Sequence, residues 1–235
     1  MGSRLALACA AVAALASTAA LAKPLRGTLV VANKGDHSVT FVDLTGANTG
    51  ATFKTAIGPH EAAVSPDGTL AAIAEYGAAI GGNTIRLFNV SRREEIARLD
   101  LREFNRPHGM AFTPDNQRLI VTCETKERVL IVDLDTQRVV ADIPTSAKGS
   151  HMLALSPKGD RAYTTNIPSN SVSVIDLEKR ELLGVIETTN APEAIALSPD
   201  GKWLWIGGRA DNVLQVIDTE SRTIVDTIDC PGMPF

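Results

Sequence analysis

Aromatic residues make up only 4% of this 235-residue chain. A groove that stacks the bases of a single strand needs several aromatic faces in a basic setting, and neither is supplied here. The chain holds 23 Lys and Arg against 27 Asp and Glu, a net charge of −4, without basic clusters. Affinity for nucleic acid rests on Lys and Arg neutralising phosphates, so this balance argues against a nucleic-acid partner. Cysteine is scarce as well. Of the three, Cys9 lies in an apolar leader, while Cys123 and Cys230 are too far apart in the pattern described below to be expected to pair. No phosphate loop, strained nucleophile turn or thiol redox pair occurs, and no helical periodicity follows the leader.

That leader is the one long apolar run. Arg4 precedes an Ala/Leu stretch from Leu5 to about Ala20, and Ala20, Leu21 and Ala22 precede Lys23. The charge, length and small-residue end are those of a secretory signal covering residues 1–22, cleaved after Ala22. The run is shorter than the ~20 residues that span a bilayer, and no later stretch reads as a membrane span. Removal of Arg4 with the signal leaves 22 basic against 27 acidic residues, or −5. A periplasmic or secreted location is the expectation.

What the mature chain has in abundance is repetition. A Ser/Thr-Pro-x-Gly-like turn recurs at Ser65–Gly68, Thr113–Asn116, Ser156–Gly159 and Ser198–Gly201, in steps of 48, 43 and 42 residues. A β-rich run ending in an acidic or amide residue recurs at Asp43, Asn89, Asp133, Asp176 and Asp218, in steps of 46, 44, 43 and 42. Two markers with one period in this range predict an all-β fold, a β-propeller of four-stranded blades.

Each repeat reads as four short strands. In the second, these are His60–Val64, Leu70–Glu75, Thr84–Val90 and Glu95–Leu101, with the Pro66, Asp67 and Gly68 turn between the first two. The propeller domain is expected over residues 23–235. It divides into a partial blade over 25–57, full blades over about 59–104, 107–147, 150–188 and 191–229, and the start of a further blade at 231–235. Strand alternation places His60, Ala62 and Val64 on one face of strand one, with Glu61 and Ala63 on the other. Alanine recurs on that second face, as Ala63, Ala111, Ala154 and Ala196, which suits crowded innermost strands.

The second strand carries a resemblance. Tyr163–Asn166 (YTTN) is one residue from the tetrapeptide YVTN, Val30–Asn33 is a looser copy, and Ala72–Glu75, Ile120–Cys123 and Trp205–Gly208 fill the same slot. With the SPDG turns and the VxVID runs, the chain resembles the YVTN-repeat β-propeller family from Leu25 to Phe235. The resemblance implies a seven-bladed ring and an exported location, so that the sequence is expected to be a form lacking the C-terminal blades. It implies little about activity, because propellers host binding proteins, lactonases, lyases, oxidoreductase subunits and metal carriers.

Three of the four histidines share one register: His60, His108 and His151 each stand five residues before the Ser or Thr of their turn. Glu193 fills the slot in the next repeat. Equivalent positions on consecutive innermost strands bring four side chains to one channel mouth. Three imidazoles and a carboxylate suit zinc, copper or iron, with Glu61 and the Met152 sulfur nearby but starting from the opposite face. Arg106 and Arg209 are candidates to line the mouth. Two readings follow. The first is an exported binding or scaffold propeller, with a protein or small-molecule ligand and a divalent transition metal at this mouth. The second is an enzyme, a lactonase-like hydrolase or a metal-dependent oxidoreductase, using the same histidines as ligands or base. Single-stranded nucleic-acid binding fits least.

Overall fold

A computed structural model describes residues 25–46 and 50–234 of the chain. The expected signal segment, residues 1–22, lies outside the described residues, as does Phe235 of the expected final stretch. Five antiparallel sheets follow one another along the chain. The first contains β1 (Thr28–Asn33), β2 (Ser38–Asp43) and β3 (Ala51–Lys54). The second contains β4 (Pro59–Val64), β5 (Leu70–Gly77), β6 (Gly81–Asn89) and β7 (Glu94–Asp100). The third contains β8 (Pro107–Phe112), β9 (Arg118–Cys123), β10 (Arg128–Asp133) and β11 (Arg138–Pro144). The fourth contains β12 (Ser150–Leu155), β13 (Arg161–Asn166), β14 (Ser171–Asp176) and β15 (Glu181–Glu187). The fifth contains β16 (Pro192–Leu197), β17 (Trp203–Gly208), β18 (Val213–Asp218) and β19 (Thr223–Asp229). The strands within each sheet run in sequence order, and the first strands of neighbouring four-stranded sheets lie side by side: β4 by β8, β8 by β12, β12 by β16. This is a β-propeller of about five blades. Two three-residue helical turns, Glu124–Lys126 and Ile167–Ser169, are the helical elements among the described residues.

The repeated motifs are turn chemistry. Ser65 Oγ accepts from the Leu70 N–H at 2.9 Å and donates to Asp67 Oδ1 at 2.6 Å. The Gly68 N–H closes the turn on the Ser65 carbonyl at 2.8 Å. The last turn position is left-handed, with φ of +73° at Gly68, +73° at Gly159, +75° at Gly201 and 59° at Asn116. That is why the one departure from glycine is asparagine, which tolerates this region. The residue ending strand three caps the next hairpin: Asp43, Asn89, Asp133 and Asp176 each accept a backbone N–H at 2.8 Å, and Asp218 at 2.7 Å.

The YVTN-like slot has two separable roles. Its fourth residue ties down the hairpin that follows: Asn166 Nδ2 donates to Ser171 Oγ at 3.2 Å and Ser173 Oγ at 2.9 Å, and Asn33 Nδ2 to Ser38 Oγ at 3.1 Å and Thr40 Oγ1 at 2.8 Å. Its third residue reaches the next blade. Thr122 Oγ1 donates to the His151 carbonyl at 2.5 Å, and Thr165 Oγ1 to the Glu193 carbonyl at 3.2 Å. Where Cys123 replaces asparagine, the thiol is free, fully buried, and pushed up in pKa by that burial.

The core lies between blades. Val39 and Phe41 meet Ala71, Ile73 and Phe88 across the first interface. Four apolar clusters of this kind separate the five sheets in turn. Strand β10 shows the logic: Leu130 and Val132 face the blade before it, while Val129 and Ile131 face the blade after it. A strand buried on both faces needs a continuous apolar run, which is what RVLIVD provides. The alanine column is packed where a following blade covers it, as at Ala154, and exposed at Ala196 in the fifth sheet.

Three phenylalanines lock the first interface. Phe88 lies 5.4 Å from the Phe41 ring and 5.5 Å from Phe53, which meets Phe41 edge-on at 5.9 Å. Phe88→Ala should therefore destabilise the fold by about 3–5 kcal/mol, read as a lowered denaturant midpoint. An unchanged midpoint would show that this interface contributes little.

Candidate functional site

The four innermost strands share one irregularity. Pairing jumps from Pro59 with Glu75 to Ala62 with Ile73, from Pro107 with Cys123 to Met110 with Val121, from Ser150 with Asn166 to Leu153 with Thr164, and from Pro192 with Gly208 to Ile195 with Ile206. Each jump is a one-residue bulge. It falls at His60 and Glu61, at His108 and Gly109, at His151 and Met152, and at Glu193 and Ala194.

A bulge inserts an unpaired residue and re-aims its neighbours. The strict alternation expected for strand one, with His60 on the face of Ala62 and Val64 and with Glu61 and Met152 opposite, is overturned at this point. Both residues of the bulge turn to the same side. A cavity of about 190 Å³ is lined by His60, Glu61, His108, His151, Met152, Glu193 and Ala194. All four sequence-predicted site residues lie in it, together with two that alternation assigned elsewhere.

The imidazoles form a stack. The ring centroids of His60 and His108 are 4.5 Å apart, and those of His108 and His151 are 3.7 Å apart. Gly109 permits the closer approach. A Cβ at this position would meet the His151 carbonyl oxygen at 2.7 Å and the Leu153 nitrogen at 2.7 Å, so any side chain here would push the two strands apart. Tyr76 walls the stack, its ring 5.1 Å from His60 and 5.5 Å from His108, and its hydroxyl donates to Glu124 of the next blade. The Arg106 guanidinium lies 4.7 Å over the Tyr76 ring and donates to the Ala78 carbonyl at 2.9 Å.

Carboxylates divide between two settings. Glu61 Oε1 is 3.1 Å from His60 Nδ1, and ligand atoms of His60, Glu61 and His108 all lie within 4.8 Å of one another. Two nitrogens or oxygens on one zinc ion each sit about 2.0–2.2 Å from it, so these three side chains are close to the span of a single ion. Glu193, by contrast, is already engaged: Arg209 Nη1 lies 2.6 Å from its Oε2. His151 stacks on His108 from the far side. Of the predicted quartet, the structure brings His60 and His108 into a ligand-like group with Glu61 and sets Glu193 apart in an ion pair. His37 sits outside the site in a turn, with φ 50° and its Nδ1 accepting from the Gly58 N–H at 3.2 Å.

Gly109, Thr122, Thr165, Tyr76 and Glu124 were not singled out by sequence. The glycine after His108 and the third residue of the YVTN-like slot were the available signals. The contacts of Tyr76 depend on blade packing and have no local signature.

Burial drives His108 to a pKa of about 2, with the neighbouring His151, His60 and Lys34 adding to the shift. Burial also lowers His151, partly opposed by Glu124 and Glu193. Both rings are therefore neutral near pH 7, the form that offers a lone pair to a metal.

Fold and site together define a β-propeller with a histidine stack at its inner rim. A family model described as "Lactonase, 7-bladed beta-propeller" matches residues 30–227, and the chain belongs to that family. No curated protein matches it. Among solved structures, hydrazine synthase of Kuenenia stuttgartiensis is similar with a TM-score of 0.61 at 19% identity, over 88% of this chain and 85% of that one. A functionally unknown protein of Desulfotomaculum acetoxidans is similar with a TM-score of 0.71 at 16% identity, over 86% of this chain and 66% of that one. At such identities the likeness concerns the fold.

The buried neutral His108 sets a pH dependence. Its unfolded form takes up a proton below about pH 6.5, whereas the folded form does not. The unfolded state then binds more protons, so stability rises with pH across this window and is lost as pH falls from about 6.5 toward the folded value. His108→Gln should make the acid side of the stability profile shallower, by at most about 1.4 kcal/mol per pH unit, as measured by denaturation of metal-free protein. Parallel profiles for the two proteins would contradict the assignment.

Proposed function

We propose that this chain is an exported binding protein that holds a divalent transition metal at the inner rim of its propeller. His60, Glu61 and His108 are the first ligands, with His151 adjacent. The observation that carries this reading is the convergence of two imidazoles and a carboxylate within 4.8 Å in a lined cavity. Nitrogen and carboxylate donors of this kind suit zinc and also iron and copper. A water or a small ligand would complete the coordination. The cavity is large enough for a group of only a few atoms, so a larger partner would meet the rim outside it.

Membership of a lactonase family favours a second reading, hydrolysis of a cyclic ester. A neutral His151 offers a general base, whereas His108, held at a pKa of about 2, is too weak a base for that role, and a bound metal would polarise the ester carbonyl. The two readings separate on turnover. A panel of lactones hydrolysed by the native protein, and not by His108→Gln or His151→Gln, would favour the enzyme.

The binding reading is tested by titrating metal-free protein with zinc in a calorimeter. Native protein should bind one ion, His60→Gln and His108→Gln should lose most of the heat, and Glu61→Gln should weaken binding by about 10–100-fold. Binding should weaken on acidification, since protons and metal compete for the same lone pairs. No zinc, iron or copper binding, or binding unchanged in the variants, would defeat it. Export is tested by fractionating cells that express the full sequence and determining the N-terminus, expected at Lys23.

A further inference from the structure

His60 and Glu61 belong to one blade and His108 to the next, so their ligand-like group straddles a blade boundary. One device anchors the strands that carry these residues. The residue two places before each site residue is left-handed, with φ of +68° at Gly58, 56° at Arg106, +71° at Gly149 and 51° at Ala191. Its carbonyl accepts the N–H of the residue that follows the YVTN-like slot: Tyr76 on Gly58 at 3.0 Å, Glu124 on Arg106 at 3.1 Å, Ile167 on Gly149 at 3.3 Å and Arg209 on Ala191 at 3.1 Å. These four residues form a tier along the rim, one behind each of His60, His108, His151 and Glu193.

Within the tier, two neighbours can bond side chain to side chain. The Tyr76 hydroxyl donates to the Glu124 carboxylate of the next blade. A bond to an ionised acceptor is roughly twice as strong as a neutral one. Burial, and then the carboxylate itself, raise the Tyr76 pKa, so the hydroxyl keeps the proton it donates. The ring held by this bond lies 5.1 Å from His60 at 60° and 5.5 Å from His108 at 90°, the second an edge-on contact. A closed path therefore runs from His60 through Gly58 to Tyr76, across to Glu124, and through Arg106 to His108. At the next boundary Glu124 is followed in the register by Ile167, which has no polar side-chain atom, so His108 and His151 are joined by no such path.

We propose that Tyr76 and Glu124 form a clamp between blades that fixes His60 and His108 relative to one another, and so act as positioning residues for the metal site. Three donors that each sit about 2.0–2.2 Å from one zinc ion tolerate little drift between the blades that carry them. Partners behind the ligands commonly control affinity in this way. The clamp also accounts for the place of the ligand-like group: it forms at the boundary that the tier bridges. This inference rests on the metal-binding reading of the cavity and adds to it the pair that sets its span.

The test uses the full chain in two measurements. In metal-free protein, the imidazole ring protons of His60 and His108 are followed by NMR, where the Tyr76 ring current marks their placement. Tyr76→Phe and Glu124→Ala should each shift or broaden these signals. In zinc calorimetry the same variants should each weaken binding by about tenfold or more, and the double variant should be no weaker than either alone, because both remove one bond. Glu124→Gln keeps an oxygen that accepts from the hydroxyl and should stay within about threefold of the native affinity. Additive losses, or a Glu124→Gln loss as large as that of Glu124→Ala, would assign the effect to charge or to general destabilisation and overturn the clamp. Unmoved histidine signals in both single variants overturn it as well. Native protein that binds no zinc, with signals that do move, removes the metal reading and leaves the clamp standing.

Discussion

Burial on both faces of the middle strands is the constraint from which the rest of the molecule follows. A sheet of three or four strands buries one face well only against another sheet, and a blade has two such faces. Residues of β9 and β10 therefore alternate between two interfaces and not between core and water, with Leu119 and Val121 on one side and Ile120 on the other. Radial stacking satisfies both faces at once and forces the first strands of the blades together. The histidine stack is a by-product of this geometry, since side chains in one register arrive at one place.

Close packing at the inner rim gives the site its chemistry. Gly109 lets the backbones of β8 and β12 approach, and the Thr122 hydroxyl pins the His151 carbonyl across the gap. The resulting burial keeps His108 uncharged, at a cost in acid stability. A neutral imidazole held beside the neutral His151 ring keeps its lone pair free of a proton and open to a metal. It is unsuited to pairing with a carboxylate as a permanent cation, which is the arrangement Arg209 provides for Glu193.

The bulge is where linear reading and folded geometry part. Period-two alternation correctly ordered most strands, and it failed for Glu61 and Met152 because one inserted residue reverses every side chain before it relative to those after it. Nothing in the tetrapeptides PHEA, PHGM, SHML and PEAI announces an extra residue. The register of β4 against β5, or β12 against β13, shows it at once. The carboxylate expected to complete the histidine set, Glu193, was in turn drawn away by Arg209 of β17's following loop, a pairing set by the return of a neighbouring strand.

The sequence by itself determined the period, the turns, the order of strands in each blade and the shared register of His60, His108 and His151. These depend on local chemistry: left-handed turn positions, capping carboxylates, and apolar runs matched to doubly buried strands. Only the tertiary structure decided which of those side chains meet, that Glu61 and Met152 join them, and that Tyr76 and Glu124 brace the stack from two blades. Those outcomes turn on backbone register and on distances of a few ångströms between blades far apart in the chain, and no local pattern of residues encodes them.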